Sequence, residues 1–163
     1  SGVLAPPPLG VTWAEAAVTL RDVYDLPGGN FTRGYQLKPF CLLHSAFSEV
    51  LFLDSDNLVL ADPTPLFASA AYRAAGAVFW PDFFLANPWT PLWRIIGRAP
   101  ALEWTLESGQ MLLDLQRHRA PLALANYLNQ RGPELFYRYC YGDADTFLFA
   151  WLALGAPFRR ATA

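Results

Sequence analysis

Short apolar runs interleaved with helix-periodic stretches predict an α/β domain, a mostly parallel sheet flanked by helices. Val50-Leu51-Phe52-Leu53 is a continuous apolar run that stops abruptly at Asp54, the pattern of a strand covered on both faces. Ala77-Val78-Phe79-Trp80 repeats that pattern, while Leu115 to Gln130 and Asp143 to Leu154 read as helices, with Asp143 placed to cap the second. Buried strands interspersed with helices are the mark of the α/β class. The 163 residues amount to about one domain, and 53% apolar against 16% charged residues leaves ample material for a core.

In chain order, Pro6-Pro7-Pro8 and Pro27-Gly28-Gly29 form turn or linker clusters around Thr12 to Tyr24, which permits a short helix. Residues 1–32 are read as an N-terminal extension or an incomplete first part, and residues 33–163 as the domain proper. From Arg33 to Phe47 apolar residues recur at three- and four-residue steps, which suits a helix that Pro39 starts or kinks. After the Val50–Leu53 strand, Leu58-Val59-Leu60 reads as a second extended run, and Asp62-Pro63-Thr64-Pro65 as a turn into one helical turn at Leu66-Phe67. Pro81 to Pro100 holds four prolines and two tryptophans, Trp89 and Trp93, and reads as a long irregular loop. Ser108 to Asp114 completes the expected strands.

A net charge of −2 supplies no cationic excess for a phosphate backbone or an anionic membrane, so no nucleic-acid partner is expected. The longest uncharged stretch, Ser1 to Ala14, falls short of the ~18 apolar residues of a membrane helix. The chain opens at Ser1 and is read as a piece of something longer, with any anchor outside it. Cys41 and Cys140 are too few for a disulfide framework and read as two separate buried thiols. Asn30-Phe31-Thr32 matches an N-glycosylation acceptor. His44 and His118 form no ligand or triad pattern, and neither a phosphate-cradling Gly-rich loop nor a Gly-x-Ser-x-Gly elbow occurs.

Chemistry concentrates where the first strand ends. Asp54-Ser55-Asp56-Asn57 presents two carboxylates separated by one residue, at the strand terminus where open α/β sheets bind ligands. Two hard oxygen ligands there suit manganese or magnesium shared with substrate phosphates; the same residues also suit a plain strand-ending turn. Lys38, the sole lysine, offers a compact positive charge for a donor phosphate or hydroxyl, or else a solvated helix residue. Glu107 and Gln110 flank Ser108-Gly109, where a missing side chain lets a ligand approach the backbone. Asp143 and Asp145 bracket Ala144 at a helix start, as cap or as site. Asp82 and Trp80, with Trp89 and Trp93 beyond, are candidates for an acceptor wall, core packing being the competing account for the tryptophans.

Several of these segments together resemble the fungal-type alpha-mannosyltransferases that build mannan side branches. The matching residues are Leu37-Lys38-Pro39-Phe40, Ser45 to Asn57, Asp62-Pro63 to Leu66-Phe67, Trp80-Pro81-Asp82, Glu107-Ser108-Gly109-Gln110 and Gly142-Asp143-Ala144-Asp145-Thr146-Phe147. They stand in family order and the likeness covers residues 33 to 155. It implies a GT-A nucleotide-sugar fold and a retaining transferase that uses GDP-mannose and manganese. It also implies a Golgi-lumen setting within a type II membrane protein. On this likeness Asp54 and Asp56 hold the metal; Lys38, Ser55, Ser108, Gly109, Gln110 and Asp145 bind the donor. Asp143 and Glu107 are then the catalytic candidates, and Asp82 and Trp80 face the acceptor glycan. Ala144 departs from the family's usual lysine, and neither an opening nucleotide-base strand nor a C-terminal metal ligand is recognisable.

Other readings stay open on the residues alone. A retaining transferase using a UDP-sugar has the same core. A phosphatase also places Asp-x-Asp after a buried strand, though its lysine follows the motif, whereas Lys38 precedes it. An inactive relative is the third.

Overall fold

The computed structural model describes residues 36–132, 134–140 and 142–161. The turn clusters, the helix expected over 12–24 and the Asn30-Phe31-Thr32 triplet lie outside the described residues. Helix α1, Leu37–Leu43, takes Pro39 in its first turn, where no backbone N–H is needed. Strand β1 follows at Glu49–Leu53. The turn after Asp62 leads into a 3-10 helix, Thr64–Ala68, as expected. Helix α2, Ala70–Ala75, is capped by the Ser69 hydroxyl accepting from Tyr72 N and is closed by Gly76 at φ 72°, a conformation that favours glycine. Strand β2 is Ala77–Leu85, a short helix α3 is Leu92–Ile95, and β3 is Trp104–Asp114. Helix α4, Arg119–Gln130, a 3-10 turn at Phe136–Arg138, helix α5, Gly142–Leu154, and strand β4, Arg159–Arg160, complete the order.

The class is mixed α/β, but the sheet is not mostly parallel. Among the described residues its order is β1-β3-β2-β4; β3 runs antiparallel to both neighbours, and only the short β2–β4 pair is parallel. Apolar runs report that both faces are covered, not which way a neighbour points. Here the central antiparallel strand is covered on both sides. Ala77, Phe79, Met111 and Leu113 pack with Leu122, Ala125 and Phe147 to Trp151 of α4 and α5. Val78, Leu112 and Leu51 face the other way, against Tyr72 and Phe67. Burying Phe79, Met111, Leu113 and Trp151 this completely contributes roughly 1.5–3 kcal/mol for each side chain.

Four local readings need correction. Leu58, Val59 and Leu60 form no strand: among the described residues none pairs with them, and they are 81%, 51% and 87% exposed. Pro81 lies inside β2 instead of opening a loop. The register shifts on both sides of it, and beyond Phe79 no described residue pairs with the β4 edge of β2, so among the described residues its missing N–H costs no ladder bond. Helix α4 begins at Arg119, not Leu115, because the Asp114 carboxylate accepts from Gln116 N and Arg117 N and holds a turn there. Both cysteines are free as expected, but Cys41 is exposed and Cys140 half-buried.

Candidate functional site

The register of β3 explains the site. Adjacent β2 residues Phe79 and Trp80 pair with Met111 and Glu107, leaving Ser108, Gly109 and Gln110 without β2 partners as a bulge, although Gln110 still pairs with Leu53 of β1. Bulges re-aim side chains and end pairing. This one turns toward the carboxyl end of β1, where Asp54 N donates to Gly109 O at 2.8 Å and Asn57 Nδ2 donates to the same oxygen at 2.6 Å. Gly109 is needed for the approach: a Cβ there would stand 2.9 Å from Glu107 Oε1 and 3.2 Å from Asp54 Oδ2. The Glu107 carboxylate accepts from Gly109 N at 2.5 Å, so it braces the bulge.

Lys38 reaches into this corner from α1. Its Nζ lies 2.7 Å from Asp54 Oδ2 and donates to Ser108 Oγ at 3.2 Å. Asp143 Oδ2, from the first turn of α5, is 3.4 Å away, an ion pair without hydrogen-bond geometry. Burial alone would lower the Lys38 ammonium, but the Asp54 hydrogen bond and the charges of Asp143 and Asp54 outweigh it and hold it above its ordinary value. Three segments of the chain therefore converge on the ammonium supplied by a fourth.

Behind Asp143 runs a buried polar relay. Tyr137 Oη donates to Asn129 Oδ1, Asn129 Nδ2 donates to Thr146 Oγ1, and Thr146 Oγ1 donates to Asp143 O, each at 2.5 Å. Every hydroxyl and amide in it is used, which fixes the start of α5. Tyr137 is pushed well above its usual range by burial, then by the charges of Asp143 and Cys140, so it stays a donor. Cys140 is pushed up to about 12, by burial first and then by Asp145 and Asp143, so its thiol is no nucleophile.

The remaining expected residues spread around this corner. Ser55 and Asp56 are exposed at its rim, and Gln110 is half-buried opposite Leu53. Asp145 and Ala144 line a cavity of about 490 Å³ together with Asp82. Trp80 packs against the second core with Val78 and Leu112, and Trp93 is buried in the first, whereas Trp89 is 89% exposed. Among the described residues no cluster of three or more His, Cys, Asp or Glu side chains stands ready to hold a metal.

A family model described as "Mannosyltransferase putative" matches residues 15–91 and 99–162. The chain belongs to this mannosyltransferase family. An alpha-1,2-mannosyltransferase of Candida albicans, MNN22, is 32% identical over 167 residues, covering 76% of this chain and 28% of that protein. A second from the same organism, MNN21, is 30% identical and covers 77% and 26%. The alpha-1,2-mannosyltransferase MNN5 of Saccharomyces cerevisiae is 28% identical and covers 76% and 31%. The chain thus spans under a third of the length of these relatives.

Sequence reasoning missed the Tyr137–Asn129–Thr146 relay in this mannosyltransferase chain and took Asn57 only as part of a strand-ending turn. Asn57 sits directly after Asp56 and had a signal, since Asn is a ready backbone binder at strand ends. The relay had none: Asn129 is a buried polar residue inside a helix, visible only once α4 and α5 are packed.

Proposed function

We propose that this chain carries the donor-binding and reacting corner of a metal-dependent, retaining glycosyltransferase of GT-A fold, moving mannose from GDP-mannose to a glycan hydroxyl. The observation that carries the reading is the convergence of Lys38, Asp54, Ser108–Gly109 and Asp143 at the carboxyl end of β1. The family and its alpha-1,2-mannosyltransferase relatives supply the sugar. Golgi placement within a type II membrane protein rests on the family resemblance; no described helix is long and apolar enough to cross a membrane.

The donor set suits manganese or magnesium. Asp54 already draws a cation, the Lys38 ammonium at 2.7 Å, and Asp56 stands exposed beside it with hard oxygens. Two carboxylates leave the other coordination positions to water and the donor's diphosphate, and the ion when bound would neutralise charge on that leaving group. Lys38 adds a point charge for the phosphates, and the carboxylate of Asp143 steadies positive charge at the anomeric carbon. The anomeric carbon–oxygen bond breaks with its electron pair going to the diphosphate. The acceptor oxygen bonds to that carbon on the same face, and its proton passes to the departing phosphate.

The test is thermal stabilisation of the full-length protein by GDP, UDP or neither, each with and without manganese. Saturating ligand should stabilise by ~2.7 kcal/mol at a hundredfold excess over Kd. Manganese-dependent stabilisation by GDP alone, lost in Asp54→Asn and Asp56→Asn, is the expected result. Stabilisation by UDP instead would change the donor, and indifference to both nucleotides would sink the proposal.

A further inference from the structure

The cavity of about 490 Å³ beside α5 falls within the size range of small-ligand sites. Ala144 and Asp145 in its wall directly follow Asp143 in the first turn of α5, so the cavity and the reacting corner share one helix end. Its polar lining residues are Asp82, Asp145, Thr105, Arg138, Asn87 and Cys140. Its rings are Tyr139 and Phe84, the latter 67% exposed.

Arg138 is held rather than loose. Its Nη2 donates to Glu134 O at 2.6 Å and its guanidinium lies 5.9 Å from the Tyr139 ring centroid. That leaves further N–H donors in a fixed plane, and among the described residues no carboxylate forms an ion pair with them. Thr105 Oγ1 donates to Phe84 O at 2.8 Å, so toward the cavity it can only accept. Asp82 and Arg138 line the same wall with opposite charges, so it offers no cationic excess to favour an anionic ligand. Acceptors, donors and an exposed apolar ring together match a neutral polyol with an apolar face, which describes a pyranose.

We infer that this cavity is the subsite for a neutral pyranose ring of the acceptor glycan, with Arg138 and Phe84 as its specificity-determining residues. The assignment rests on the glycosyl-transfer reading and adds residues that reading does not use. Arg138 donates to ring hydroxyls, Asp82 and Asp145 accept from them, and Phe84 covers the C–H face.

The test uses the full-length protein and methyl α-mannopyranoside as probe, titrated with and without GDP plus manganese and followed by saturation-transfer NMR. Arg138→Met and Phe84→Ala alter exposed side chains, and their melting confirms folding. Loss of one or two directed contacts should weaken sugar binding about tenfold in each variant. Nucleotide stabilisation should be unchanged. Unaltered sugar affinity in both variants, no sugar binding by the parent in any condition, or capture of inorganic phosphate at the same place would overturn the assignment. A protein that ignores GDP but loses the sugar in both variants would refute the donor reading alone.

Discussion

Replacing Lys38 with Met removes the cation on which Asp54, Ser108 and Asp143 converge, and the structure sets the size of the effect. The side chains of Lys38, Asp54 and Asp143 are 14%, 31% and 9% exposed. Stripping one partner from a fully buried ion pair costs about 3–5 kcal/mol, because the other charge is left uncompensated. Asp54 is close to a third exposed, and water there screens part of the loss, so about 2–3 kcal/mol is expected. At about 2–4 °C per kcal/mol for a chain of this size, the melting temperature should fall by about 4–12 °C. Most of the penalty belongs to Asp143, so adding Asp143→Asn to Lys38→Met should recover more than half of it. The pH profile carries its own signature. The ammonium is held above its ordinary value, so its contribution is complete below the unfolded-chain value and is lost only as pH rises through the folded one. The deficit should therefore be flat through neutral pH and close only in strongly alkaline solution. A variant that melts within about 1 °C of the parent, or a double variant no more stable than Lys38→Met, would refute the reasoning.

Gly109→Ala should separate site from fold. The new methyl would displace the ends of flexible carboxylates, Glu107 Oε1 and Asp54 Oδ2, so melting should change by under about 1 kcal/mol while manganese-dependent GDP stabilisation is lost. Equal loss of both would mean that the glycine serves the strand. His118 is lowered chiefly by burial; its Nε2 donates to Ala75 O at 2.8 Å and its Nδ1 accepts from Trp151 Nε1 at 3.1 Å, which requires the neutral ring. Stability from that neutral ring is present above about pH 6.5 and lost as pH falls through the folded value. Melting of the parent should therefore drop more steeply between pH 7 and 5 than that of His118→Gln; parallel curves would exclude His118 as the cause.

Much of the fold could be read from local pattern, because each strand and helix faces a core that its own residues declare. Val50–Leu53 and Ala77–Phe79 announce two covered faces and are strands, and the less regular Ser108–Asp114 lies within a third. Strand direction was not legible, since apolar runs are indifferent to it. Pro81 misled because a proline rule holds only where the ladder needs its N–H, and this position does not. At the site, Lys38, Asp54, Ser108, Gly109 and Asp143 were singled out by type and motif before any contact was known. Their convergence through a bulge was not visible, since the polar run Glu107–Gln110 does not reveal which residues lose their β2 partners. Arg138 escaped notice because a lone arginine in an irregular stretch carries no pattern.

The bulge at Ser108–Gln110 also bears on how the protein comes apart. The Asp54 amide is tied to Gly109 O across the chain, and the Lys38 ammonium bridges to Ser108 over a separation of 70 residues. No sub-region contains a working portion of the corner, so partial opening of any one of the four segments abolishes it entirely. Amide hydrogen exchange at Asp54 should accordingly follow the least costly opening among the four segments and run faster than at the buried β3 residues Leu112 and Leu113. Substitutions far from the corner that merely loosen the packing of α5 on β3 would then register first as lost ligand binding, well before any change in secondary structure.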